Sequence, residues 1–201
     1  MKKSLDKALL IVVIILSFFP LIIVFNADLN QNFTFSKTAA YGGLLTLWWG
    51  YVLGIRRFIG SFIADYSWVL KVHKWFNIIG FLVILAHPII LVTQIYGINL
   101  LIPNLEGERR VGIALGSLSV ILWTIIWVTS AIIRNRMSFR WWKRLHLLTY
   151  PILFFTFLHL QVGFLVNSSR ILEFYTWWLF VSFIILVSWQ IAGRVGIGIS
   201  R

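Results

Sequence analysis

The chain contains no cysteine. Disulfides, iron–sulfur clusters and thiolate metal sites are therefore excluded. Charge is scarce too: Asp, Glu, Lys and Arg make up 12% of 201 residues, about half the share of a soluble domain. Carboxylates are the rarest, with 6 Asp plus Glu against 18 Lys plus Arg. No low-complexity segment and no soluble domain interrupts the chain. What fills it is hydrophobic: 60% of residues, with a mean hydropathy of +0.89. This composition specifies an all-α integral membrane protein with little outside the bilayer. The net charge of +12 fits an anionic membrane surface and acidic partner proteins, and nucleic acid is not expected.

Six apolar stretches reach the roughly 20 residues that a spanning helix needs. They are residues 8–25, 38–55, 66–96, 111–133, 145–166 and 171–192. The first follows Lys2, Lys3 and Lys7, as a signal peptide would. It is long for such a segment and no small-residue cleavage site follows, so it is expected to remain as helix 1. With the N-terminus inside, only Lys37, Arg109, Arg110 and Arg170 of the 18 basic residues fall outside. That bias places both termini in the cytoplasm under the positive-inside rule. Trp68, Trp75, Trp141 and Trp142 stand beside inner basic clusters, as interfacial anchors do. The expected architecture is a single membrane domain over residues 1–201, with six helices in a cell membrane.

The chain has four histidines. His73 and His87 lie in helix 3, and His146 and His159 in helix 5. An ionisable side chain inside a membrane is costly and marks function by default. Both helices run outward, so His73 and His146 share an inner level, and His87 and His159 share an outer one. The rise between levels is ~21 Å on helix 3 and ~20 Å on helix 5. On helix 3 the two histidines return to within about 40° of one face, but on helix 5 they miss by about 140°. Pro151 lies between the latter and can kink or rewind the helix; alternatively the two cofactor planes are rotated.

Two level-matched histidine pairs suit two haems b, one at each face. Both axial positions are then filled, which favours electron transfer over oxygen activation at the metal. A single such histidine can merely hydrogen-bond between helices, but four in matched pairs favour haem. One zinc site cannot form, because ligands ~20 Å apart along the helices cannot all lie within about 2.1 Å of one metal. Asp65 and Glu173 sit at helix starts, so no carboxylate completes a two-histidine site. Candidate partners for the haem propionates are Arg56, Arg57 and Arg144, with Lys74 and Arg140, at the inner level. Arg109 and Arg110, with Lys37, are those at the outer level. Plain topology signals are the commoner use of such clusters. Phe154, Phe155 and Phe157 are expected to form lipid or packing surface. Gly193, Gly196 and Gly198 lack a strand–turn–helix unit, so no flavin or NAD(P) site is found.

The run Val72, His73, Lys74, Trp75 through Leu85, Ala86, His87, Pro88 resembles the third helix of the ferric reductase-like transmembrane domain. Trp141 through His146, Tyr150, Pro151, Leu158 and His159 resemble its fifth. Thr129 and Ser130, before the basic loop at Arg134 and Arg136, also fit. That domain is shared by ferric reductases, NADPH oxidases and the haem-binding membrane subunit of the periplasmic methionine sulfoxide reductase. The resemblance implies an oxidoreductase component that passes electrons from a cytosolic flavin- and NAD(P)H-dependent donor, or a quinol, to an external acceptor. The alternative is a subunit feeding a periplasmic methionine sulfoxide reductase, to which Arg56, Arg57, Phe58, Ile59 and Gly60 are also similar. That group commonly lacks the inner helix 3 histidine, which is present here as His73. A cofactor-free structural membrane protein is the remaining alternative.

Overall fold

The computed structural model describes residues 2–26, 31–63, 65–96, 98, 108–162 and 170–195. Among them every regular element is helical. In chain order these are α1 (Lys2–Ser17), α2 (Pro20–Asn26), α3 (Gln31–Gly54), α4 (Arg56–Phe62), α5 (Tyr66–Leu91), α6 (Glu108–Ala131), α7 (Phe139–His146), α8 (Thr149–Val162) and α9 (Arg170–Val195). Among the described residues, five helical stretches are long and apolar enough to cross a membrane: Asp6–Ile23, Tyr66–Gln94, Val111–Ala131, Phe139–Val162 and Glu173–Ala192. The chain is a multi-pass membrane protein. Ile15, Leu16 and Ile185, each more than 60% exposed, belong to its lipid-facing surface.

The stretch expected at residues 38–55 falls in α3 and is absent from those five. The reason is its surroundings. Tyr41, Leu44, Leu45, Leu47 and Leu53 are fully buried, with Trp48, Trp49 and Tyr51 nearly so. A helix enclosed by other helices can carry glycine, tryptophan and tyrosine among its leucines, and these lower its mean hydropathy. α3 packs most extensively on α5, and α6 on α8. At the first crossing a Cβ on Gly43 would stand 2.6 Å from the Ile84 backbone nitrogen, and one on Gly80 3.0 Å from that of Leu47. Two helices approach this closely only where glycine removes the side chain.

Two expected spans are broken helices. The first bends at Phe18 and Phe19, where Pro20 supplies no N–H. The bend is fastened from two other helices: Trp49 Nε1 donates to Ser17 Oγ at 2.6 Å, and Tyr175 Oη to the Ser17 carbonyl at 2.5 Å. Tyr41 Oη pairs with Thr176 Oγ1, and Tyr150 Oη donates to Gln190 Oε1 at 2.6 Å. Such interhelical bonds contribute about 0.6–2 kcal/mol each in a membrane protein.

The fifth span breaks between α7 and α8. Leu148 and Tyr150 donate three residues back, to Leu145 and Leu147, while Thr149 Oγ1 caps the His146 carbonyl at 2.6 Å. Pro151 follows, and its ring cannot coexist with an ideal helix there. Each residue of this tighter turn advances about 120° rather than 100°. A few such residues remove roughly half of the 140° mismatch between His146 and His159.

α5 is continuous over both of its histidines and passes into a π-turn at Val92–Tyr96. Its start is fixed by Asp65, which accepts from Trp68 N at 3.2 Å and from Ser67 Oγ at 2.8 Å. Lys7 Nζ meets Asp65 Oδ2 at 2.7 Å and ties α1 to that cap. Lys7 first, then Ser67 and the Trp68 amide, hold the Asp65 carboxyl well below the usual carboxylate range.

Candidate functional site

The four histidines converge as two pairs. The ring centres of His73 and His146 are 6.4 Å apart with planes at 65°. Those of His87 and His159 are also 6.4 Å apart, with planes at 58°. A metal–imidazole bond of about 2.0–2.1 Å, plus roughly 1.1 Å from nitrogen to ring centre, gives about 6.3 Å for one metal between two imidazoles. Direct hydrogen bonding between two rings would bring them closer, whereas ordinary ring packing covers about 4.5–7 Å; what is specific here is that both level-matched pairs take the same 6.4 Å.

Three of the imidazoles are held by their Nδ1 atoms. His73 Nδ1 donates to the Gly50 carbonyl at 2.6 Å, and His159 Nδ1 to the Gly112 carbonyl at 2.6 Å. His87 Nδ1 lies 3.1 Å from the Ser36 carbonyl and 2.8 Å from Ser36 Oγ. A proton on Nδ1 leaves Nε2 with its lone pair free, the arrangement that metal-ligating histidines use. The Asn77 amide sits 3.3 Å from His73 Nδ1, but both are donors there, so its bond is the 2.7 Å one to the His73 carbonyl.

Glycine pairs make two of these seats. Gly50 and Gly54 lie one helical turn apart on α3. The carbonyl of Gly50 takes the His73 proton, and a Cβ on Gly54 would strike His73 Cε1 at 2.9 Å. Gly112 and Gly116 repeat the device on α6: the first accepts from His159, and a Cβ on the second would meet His159 Cε1 at 2.8 Å. The sequence reading missed these glycines. The G-x-x-x-G spacing of close helix packing was the signal that could have found them.

His146 is held differently. Its Nδ1 is buried without a hydrogen-bond partner among the described residues. Its ring stacks on Trp142 at 4.8 Å and 24°.

A cavity of about 450 Å³ opens at the inner pair, lined by His73, His146, Phe81, Trp123, Trp127 and Tyr150 among others. Its size falls in the range of about 300–1,000 Å³ usual for small-molecule and cofactor sites. Lys74 and Lys143 stand on its wall, whereas the Arg144 guanidinium packs over Trp141 at 5.1 Å. The side chains of Arg56, Arg57, Arg109 and Arg110 lie outside what is described; their backbones begin α4 and α6. Phe157 is buried against Phe180 and Phe183 of α9, and the exposed Phe154 touches Phe180, so they serve as packing and lipid surface. Among the described residues no three His, Asp or Glu cluster as a metal group. Two imidazoles across an apolar cavity therefore fit a metal whose other ligands come from a macrocycle, which is the donor set of haem.

The model of the family described as ferric reductase like transmembrane component matches residues 39–157. The match covers more than half of the chain and includes His73, His87 and His146, ending just before His159. No curated protein matches the chain. No solved structure matches it either.

Proposed function

This chain belongs to the ferric reductase-like transmembrane family, and we propose that it is a di-haem b-type subunit for transmembrane electron transfer. The observation that supports this most is metric: both histidine pairs have ring centres 6.4 Å apart. Haem held at each pair supplies a one-electron iron couple, tuned by its axial ligands and burial. His73 with His146 serves the inner haem, and His87 with His159 the outer. With no cysteine in the chain, attachment is non-covalent.

The chain's own residues orient and insulate these groups. The carbonyls of Gly50, Gly112 and Ser36 fix three imidazoles in one tautomer and raise the basicity of Nε2. The apolar wall of Phe81, Trp123 and Trp127 excludes water and lowers the local dielectric. Lys74 and Lys143 on the cavity wall, with Arg56 and Arg57, neutralise inner propionates, and Arg109 and Arg110 the outer ones; Arg144, drawn over Trp141, is not among them. The bundle has six spans with both termini cytoplasmic. Electrons come from a cytosolic flavin- and NAD(P)H-dependent protein, or a quinol, and leave to an external acceptor. Moving negative charge outward follows an inside-negative potential, worth about 2.3 kcal/mol per electron per 100 mV.

The test is vectorial. The chain is reconstituted in vesicles with trapped ferricyanide, and NADPH and a flavin reductase are added outside. Trapped ferricyanide should be reduced only when the chain is present and should not be reduced with His87→Ala. A haem-loaded chain that leaves it oxidised would overturn the proposed function.

A further inference from the structure

Three of the four imidazoles are oriented by an Nδ1 contact to a carbonyl or hydroxyl. His146 is the exception: its Nδ1 is buried with no hydrogen-bond partner among the described residues. A ligand ring free to rotate about its Cβ bond would not present Nε2 in one direction. Something else must hold it.

α7 supplies a ladder of rings. Phe139, Trp142 and His146 recur at three and four residues, so they line one face of the helix. Phe139 lies 5.7 Å from Trp142, and Trp142 4.8 Å from His146, with the last two nearly parallel. Trp142 has a further neighbour. The Arg134 guanidinium, from the turn before α7, sits 4.8 Å from the Trp142 ring centre and 5.7 Å from that of Phe139. Trp142 Nε1 donates to Ser130 Oγ at 3.3 Å, which fixes the indole in its own plane. The indole thus touches both the Arg134 guanidinium and the His146 imidazole, and the His73 ring centre lies 6.4 Å from that of His146.

We propose that Arg134 and Trp142 are positioning residues for His146: a cation-capped indole replaces, by stacking, the carbonyl contact that orients the other three imidazoles. The inference rests on His146 being an iron ligand. A stacked aromatic pair adds attraction beyond area burial, roughly two- to tenfold in an equilibrium, and a guanidinium over an indole adds a comparable factor. The Arg134 guanidinium also places a fixed positive charge on the indole that stacks with His146, which favours the reduced state of an iron held there. The bland role for Trp142 is an interfacial anchor. An anchor sets depth in the membrane and has no reason to change the electronic state of one haem.

The experiment uses the haem-loaded full chain in detergent, with Trp142→Leu, Trp142→Phe, Arg134→Gln and Arg134→Lys. It reads low-spin electron paramagnetic resonance, the midpoint potential of each component and haem loss to excess apomyoglobin. Trp142→Leu should shift or broaden the largest g value of the inner haem and accelerate its loss roughly two- to tenfold. The outer signal should stay in place, and Trp142→Phe should restore the inner one. Arg134→Gln should lower the inner potential, and Arg134→Lys should hold it. Should Trp142→Leu fail to insert, Arg134→Gln set against Arg134→Lys carries the test. Unchanged inner g value, potential and loss rate in inserted Trp142→Leu and Arg134→Gln would overturn the positioning role while leaving two haems in place. Absence of a second low-spin haem in the unaltered chain would instead overturn the functional reading beneath it.

Discussion

The seat of His159 gives a perturbation whose sign can be worked out. Alanine in place of a helical glycine ordinarily stabilises, by about 1 kcal/mol. At Gly60 the space around a new Cβ is empty to 4 Å, so Gly60→Ala should be neutral or mildly stabilising. At Gly116 the same methyl would lie 2.8 Å from His159 Cε1 and 2.9 Å from Nδ1. Comfortable contact needs about 3.5–4.0 Å, so the ring must retreat by roughly 0.7 Å or more. The 2.6 Å bond to the Gly112 carbonyl then stretches past about 3.2 Å and ceases to orient the ring. A buried donor left unpaired costs about 1–3 kcal/mol, which outweighs the gain in helix propensity. Losing such an outer contact to a metal ligand typically costs 10–100-fold in metal affinity. Purified Gly116→Ala should therefore lose the outer spectral component, while Gly60→Ala keeps both. Haem titration with difference spectra reads the result. Full retention of the outer component, at unaltered affinity, in Gly116→Ala would refute the seat argument.

Three further outcomes follow from the same contacts. His73→Ala and His146→Ala should remove one spectral component, and His87→Ala and His159→Ala the other; loss of a shared component from His73→Ala and His159→Ala would contradict the pairing. Purified chain alone should not be reduced by NADPH within seconds, whereas adding a flavin reductase should permit it, as stopped-flow absorbance will show. Asp65→Asn should lower the melting temperature at neutral pH, because the carboxylate caps α5 and pairs with Lys7. Since the folded carboxyl is held low, that advantage is complete above the unfolded value of about 4 and fades as pH falls further toward the folded value; a melting difference that is the same at pH 3 and pH 7 would sink this assignment.

The histidine pairing was legible because α5 is one continuous helix, so counting residues measures height. The facing of His146 and His159 was not, since a tight turn ahead of Pro151 changes the rotation without changing the count. Pro151 marked the place but not the amount. The span expected at residues 38–55 shows the limit of hydropathy: α3 lies among the other helices, so it carries glycine and aromatic residues where a lipid-facing helix carries Leu and Ile. The glycine seats at Gly50, Gly54, Gly112 and Gly116 were written in plain spacing but depend on which helices meet. Nothing in the residue order states that α3 serves His73 and α6 serves His159. The stack of Arg134, Trp142 and His146 was hidden for a further reason, because Trp142 beside basic residues reads equally well as a membrane anchor.

The central claim is that each histidine pair holds one haem, and quantitation of haem per chain tests it most directly. Pyridine haemochrome analysis of protein purified with haem in excess, set against protein mass by amino-acid analysis, should give two non-covalent haems b per chain, both low-spin. A value near zero would contradict the account outright, and a value near one would show that one pair has no haem between its rings.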